Sequence, residues 1–214
     1  MSDNQARGLI LGRVRDILGT RTESAAAAYQ RIGREYTREA TLSAGARADL
    51  FIERLEHYQV GVRRCSRSAV ATTIEATLAA RGKSRMLIPP DIDPAWLAAG
   101  FESVPDAGLD YQHLDASEGV LTGCSLAIAN TGTLVLRHAA GEGRRALTLI
   151  PDYHLCVVFE EQVVQTVPEA MRRLAQWKPA LVTTISGPSA TADIEMTRIR
   201  GVHGPRTLDV IVVA

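Results

Sequence analysis

Cysteine is scarce in this chain: Cys65, Cys124 and Cys156 are the only three, and none forms a C-x-x-C pair. That spacing excludes a disulfide framework and a zinc ribbon. It also excludes an iron–sulfur cluster held by this chain alone, because such clusters need several closely spaced thiolates. Buried, reduced thiols are the expectation. A surplus of either charge is missing too. Lys plus Arg and Asp plus Glu number 24 each, so no global field draws the chain to nucleic acid or to an anionic membrane. The pairs Arg63-Arg64, Arg144-Arg145 and Arg172-Arg173 read as solvated faces. No apolar run approaches the roughly 18–20 residues of a membrane helix, and the polar segment 1–7 has no signal-peptide core. A cytoplasmic protein without a membrane span is expected.

What is present changes character along the chain. No proline occurs before Pro89, and the first third has helical spacing: Leu9, Val14, Ile17 and Leu18, with Gly19 as a stop. Helix formers over 25–39 and the set Leu50, Phe51, Leu55 and Tyr58 predict two further helices. A helical N-terminal region, 1–58, is therefore expected ahead of an α/β domain, 59–214, the whole forming one compact unit. From 59 onward strands and helices alternate. The expected strands are 59–64, 85–88, 111–114, 133–137, 154–159, 181–185 and 207–213. Helices are expected at 68–81, briefly at 94–97, and at 167–176 with Pro168 in the first turn. This rhythm predicts an α/β fold with a mostly parallel sheet flanked by helices.

Two motifs fail on their own physics. Gly141-Glu-Gly143-Arg-Arg-Ala146 matches a dinucleotide fingerprint, but Pro151 cuts off the helix that must open there. The two glycines then read as a flexible connection. Gly187-Pro-Ser189-Ala-Thr191 lacks the final glycine of a serine-hydrolase elbow, so Ser189 reads as a helix N-cap.

Other residues remain as ligand candidates. A helix over 190–198 would present backbone N–H groups beside Ser186, Gly187, Ser189 and Thr191, as an anion site does. Asp193 and Glu195 in its first turns oppose an anion and suit ordinary dipole-matched capping; two acids without defined geometry do not make a metal site. His203, between Gly201-Val and Gly204-Pro205, is the candidate general acid/base, against a turn histidine bonded to backbone. Asn130, Thr131, Gly132 and Thr133 follow a small-residue segment, 124–130, that reads as a tight loop. His154 starts a strand, and strand ends gather ligands in open α/β sheets. His57, His113 and His138 have no motif context.

Four segments in order carry a resemblance: Ala127-Ile-Ala-Asn-Thr-Gly-Thr-Leu-Val-Leu136, Leu149-Ile-Pro-Asp-Tyr-His154, Ser186-Gly-Pro-Ser-Ala-Thr-Ala-Asp-Ile-Glu195 and Gly201-Val-His-Gly-Pro205. Together they resemble the lactate-utilisation protein C family (LutC or YkgG), whose shared module is the LUD domain. The match is densest from about Val120 to the C-terminus. The resemblance implies a fold similar to the glucosamine-phosphate isomerase, ribose-phosphate isomerase and CoA-transferase group. It implies an accessory component, with no cofactor of its own, of a system that oxidises L-lactate to pyruvate. Iron–sulfur clusters would sit on partner subunits, and a small carboxylate is the implied ligand. Asn130 departs from the acid common at that position in the family, and without a carboxylate it cannot form a CoA thioester. The alternative is a stand-alone enzyme on small phosphorylated or carboxylated metabolites, with His203 assisted by Asp193 or Glu195.

Overall fold

The computed structural model describes residues 3–19, 24–97, 99–177, 181–191, 199–200 and 204–214. The chain divides into two compact units, 1–36 and 37–214. In the first, α1 spans Asp3–Leu18 and α2 spans Ala25–Gln30. Gly19 ends α1 at φ +64°, a left-handed conformation that glycine adopts without strain. Ser24 caps α2 by accepting the Ala27 N–H at 3.1 Å. The helix expected over 25–39 stops at Gln30. Arg34 turns back to donate to the carbonyls of Tyr29 and Ile32 at 3.0 and 3.2 Å, and Gly33 in this stretch would weaken a longer helix.

The second unit begins with α3, Ala44–His57, capped by Ser43. Ala48, Phe51 and Leu55 are fully buried at helical spacing. The sequence grouped α3 with the N-terminal helices, yet it lies in the unit that holds the sheet. Phe51 and Leu55 are the reason: they pack with Leu134, Leu136, Val158 and Val210.

Next come β1 (Gly61–Cys65), α4 (Val70–Ala80), β2 (Arg85–Ile88) and β3 (Glu102–Pro105). Then follow α5 (Tyr111–Asp115), β4 (Val120–Thr122), β5 (Leu126–Ile128) and β6 (Thr133–Leu136). After these are α6 (Arg145–Leu149), β7 (Tyr153–Phe159), β8 (Val163–Val164) and α7 (Val167–Gln176). The last are β9 (Thr183–Ile185), β10 (Ala190–Thr191), β11 (Ile199–Arg200) and β12 (Thr207–Val213).

Six strands form a parallel sheet in the order β1-β12-β7-β4-β2-β3. Its central strands bury both faces. Cys156, Val158, Leu208, Val210 and Val212 face α3 and the second sheet, while Leu155, Val157, Ile211 and Val213 face α4. Strands buried on both sides read as continuous apolar runs, as β7 and β12 do. Among the described residues no helix is long and apolar enough to cross a membrane.

Three local expectations fail. Segment 111–114 is α5, not a strand, because the Asp110 carboxylate accepts the His113 N–H at 2.9 Å and starts a helix. Segment 124–130 is not simply a loop, since β5 occupies its middle. It joins β6, β8 and β9 in a four-stranded mixed sheet that the sequence did not suggest, with order β8-β5-β6-β9. The helix expected over 190–198 is absent at its start, where 190–191 form β10 and pair antiparallel with β11; 192–198 lie outside the described residues.

Gly132 turns the chain from β5 to β6 at φ +59°, and a Cβ there would come within 2.9 Å of Arg54 Cβ on α3. Gly132→Ala is expected to cost about 1–3 kcal/mol through backbone strain and this clash. Leu55→Ala is expected to cost about 2–5 kcal/mol, as for other buried leucines. Urea unfolding of each variant checks both values.

Candidate functional site

A cavity of about 310 Å³ opens beside α6, with segment 183–189 opposite and the starts of β7 and β12 at its base. Two of the motif segments meet here, because the Ser189 N–H donates to the Pro205 carbonyl at 2.8 Å. Gly187 is buried at φ +80°, and a Cβ would meet the Tyr58 side chain at 2.8 Å. Only glycine lets this turn close onto the chain after α3.

The structure brings His154, Ser186, Gly187, Ser189 and Gly204 to this one cavity. Thr133 reaches it indirectly, its hydroxyl lying 2.8 Å from Ser186 Oγ and 2.7 Å from Thr131 Oγ1. Asn130, Thr131 and Gly132 are not in the lining. The backbone N–H of Asn130 is spent on the Gln165 carbonyl, and Gly132 serves the close approach to α3. Thr191 sits in β10, so Ser189 precedes a strand and caps no helix; the anion site on a helix start at 190 therefore falls away. Asp193, Glu195 and His203 lie outside the described residues.

His154 departs from expectation in position and in chemistry. It is the second residue of β7, and Leu208 is the second of β12, so the cavity lies at the amino ends of these parallel strands rather than at their carboxyl ends. The imidazole is 1% exposed, its Nε2 lies 2.8 Å from Thr122 Oγ1, and burial lowers its pKa to about 4. It is a neutral hydrogen-bonding group at the cavity base.

Four residues were not anticipated. Arg144 and Arg145 part ways: Arg144 is tied down beside a buried carboxylate, while Arg145 is exposed, as expected of the pair. Arg144 binds Asp106 through Nε and Nη2 at 2.7 and 3.0 Å. Burial alone would raise the Asp106 pKa, yet the Arg144 side chain and the Leu109 N–H hold it below the usual range. Arg145 instead lines the cavity and donates from Nη1 to Thr183 Oγ1 at 2.6 Å.

His138, which had no motif context, approaches the same hydroxyl from the other side, with Nε2 at 2.9 Å. Its Nδ1 lies 3.0 Å from the Gly143 carbonyl. A carbonyl only accepts, so Nδ1 carries the proton and, in the neutral ring, Nε2 accepts from Thr183. His138 holds φ at +56°, a left-handed conformation that costs a non-glycine residue on the order of 1 kcal/mol.

Glu142 holds this region in place. It is 2% exposed, and its carboxylate accepts from the N–H groups of Arg137 and Ala139 at 2.6 and 3.2 Å and from Ser125 Oγ. The Gly141–Gly143 segment is thus pinned rather than a flexible connection. A short helix, α6, does open after it. However, β6 before it belongs to the second sheet, and Glu142 already takes the nearby N–H groups that a phosphate would use.

Two outcomes test this description. Glu142→Gln places an amide N–H₂ against backbone donors, with an expected cost of about 1–3 kcal/mol and faster hydrogen exchange at Arg137 and Ala139. The unfolded chain protonates His154 near its ordinary 6.5, whereas the folded chain resists until about 4. Stability from the neutral ring is complete above about pH 6.5 and declines as pH falls toward 4. Between pH 7 and pH 5 the expected loss is about 2 kcal/mol, and urea unfolding of His154→Gln at the two pH values should show that loss removed.

Relatives of known name resemble part of this chain. A protein named Lactate utilization protein C from Deinococcus radiodurans is 49% identical over 134 residues, which cover 60% of this chain and 62% of that one. A protein of the same name from Shouchella clausii is 31% identical over 113 residues, covering 50% and 49%. The chain thus aligns with about half to three-fifths of these relatives' length. A crystal structure of a DUF162 family protein from Deinococcus radiodurans superposes with a TM-score of 0.71 at 38% identity, covering 81% of this chain and 99% of that chain. The LUD domain profile matches residues 20–213, nearly the whole of the α/β unit and its approach, and the chain belongs to the LUD domain family.

Proposed function

We propose that this chain serves lactate utilisation, as an accessory component of an iron–sulfur protein system that oxidises L-lactate to pyruvate. The observation that carries this reading is the 49% identity to a protein named Lactate utilization protein C. The cavity beside α6 then receives a small carboxylate. Its mixture of hydroxyls, one arginine and apolar walls suits a small polar metabolite.

The cysteine placement supports leaving redox chemistry to partners. Cys124 and Cys156 are buried in the core, Cys65 ends β1, and all three are free thiols. Cys124 and Cys156 lie within hydrogen-bonding reach of each other, and two thiols fall short of the several that an iron–sulfur centre requires.

Tagged protein recovered from lactate-grown cells tests the reading. Co-purification of iron-containing subunits in fixed ratio, together with lost growth on lactate when the gene is deleted, is the expected result. Recovery of this chain alone, with growth on lactate unchanged, would overturn it.

A further inference from the structure

We propose that Arg145 is the carboxylate-binding side chain of this cavity, positioned by the His138–Thr183 pair, and that the cavity takes small acids bearing an oxygen on the carbon beside the carboxylate. The proposal rests on the reading that the cavity receives a small carboxylate, and names the groups that would hold it.

Charge singles out Arg145 first. Among the described lining residues it is the only charged side chain; the other polar side chains are hydroxyls and the neutral His154 ring. No carboxylate of the described residues pairs with Arg145, whereas its neighbour Arg144 is committed to Asp106. A guanidinium carries five N–H donors, and the Thr183 bond uses one. The remaining fork has the planar, two-point geometry that matches a carboxylate.

Thr183 fixes that fork. Its oxygen accepts from Arg145 Nη1 and its hydroxyl lies 2.9 Å from His138 Nε2, so the guanidinium and the imidazole are held on one hydroxyl. The arrangement extends back through His138 Nδ1 to Gly143, in the turn that Glu142 pins. A left-handed histidine aimed at a cavity hydroxyl is the kind of strained residue that sites retain for positioning.

Size and wall chemistry set the ligand class. A volume of about 310 Å³ is at the low end for metabolite pockets and matches a small acid. Ser186 and Thr148 also line the cavity, and Ser186 is in turn bonded to Thr133. Thr148 donates to the Arg145 carbonyl at 3.3 Å and so can only accept from a ligand, whereas Ser186 can donate or accept; together they suit a 2-hydroxy or 2-oxo group that a simple acid lacks.

Isothermal titration of the full chain with L-lactate, pyruvate and acetate tests this, using the wild type, Arg145→Ala, Arg145→Lys, His138→Gln and Ser186→Ala. Arg85→Ala, outside the cavity lining and paired with Glu102 at the surface, is the control. The expected result is binding of lactate or pyruvate in preference to acetate, weakened at least tenfold in Arg145→Ala. Arg145→Lys should restore binding only in part, because an ammonium is a point donor. His138→Gln should weaken lactate, pyruvate and acetate alike, because it loosens the guanidinium that holds every carboxylate. Ser186→Ala should instead keep acetate binding and reduce the preference for the oxygenated acids, an effect that general loss of stability would not produce. Absence of carboxylate binding by the wild type overturns the proposal, as does unchanged affinity in Arg145→Ala with the fold intact by circular dichroism. Growth of a deletion strain carrying Arg145→Ala separates the two readings. Binding lost in Arg145→Ala, with growth on lactate unaffected even by deletion of the gene, supports this site and removes the lactate role. A chain that lactate growth requires, yet whose wild type binds none of the acids, removes this site and leaves the role.

Discussion

The side-by-side burial of β7 and β12 is the constraint on which the rest of the α/β unit depends. The two strands pair in parallel over seven residues, from Tyr153 opposite Thr207 to Phe159 opposite Val213. Alternate side chains enter two cores, one closed by α3 with the second sheet and the other by α4. A one-residue slip would exchange the faces of every side chain, so the register is strongly specified. That register also sets where each strand begins. His154 and Leu208 lie opposite each other at those beginnings, and they form the base of the cavity.

Around this frame, three buried carboxylates organise polar contacts that apolar packing cannot direct. Glu142 gathers the turn after β6, and Asp106 with Arg144 ties the loop after β3 to the start of α6. Asp209, 3% exposed on β12, receives two bonds from Arg81 at 2.8 and 2.6 Å and one from the Tyr153 hydroxyl at 3.0 Å. Burial and the Asp209 charge push the Tyr153 phenol well up, so it stays protonated and donates. Gly61 opposite leaves room for that carboxylate, since a Cβ would sit 2.2 Å from Asp209 Oδ1. Each carboxylate is satisfied by hydrogen bonds, as a buried charge must be. Two of them flank α6 and so help to fix where Arg145 stands.

The proposed role and the proposed site divide the chemistry sensibly. A component that holds a small acid needs one cation, a set of hydroxyls and a protected space. It needs no redox centre of its own when partners supply one. The neutral His154 and the Arg145–Thr183–His138 arrangement provide polarity at the cavity without an excess of charge. Such a site binds by geometry more than by field.

The sequence by itself determined the alternation of strands and helices, the parallel character of the central sheet and the family resemblance. Those follow from local signals: apolar β-formers at 154–159 and 207–213, Pro168 in the first turn of α7, and four ordered motif segments. It also identified Ser186, Gly187, Ser189, Gly204 and His154, which the fold collects into one cavity. Only the tertiary structure decided what those residues face. At 190–191 the expected helix start gave way to β10, which pairs with β11, and the small residues of 124–130 concealed a strand that is stable only beside β6 and β8. Arg145 and His138 were invisible because an arginine or a histidine beside a glycine turn carries no periodic signal. Their partner, Thr183, is 38 and 45 residues away in the chain, and hydrogen bonds over that distance are set by the packing of β6 against β9.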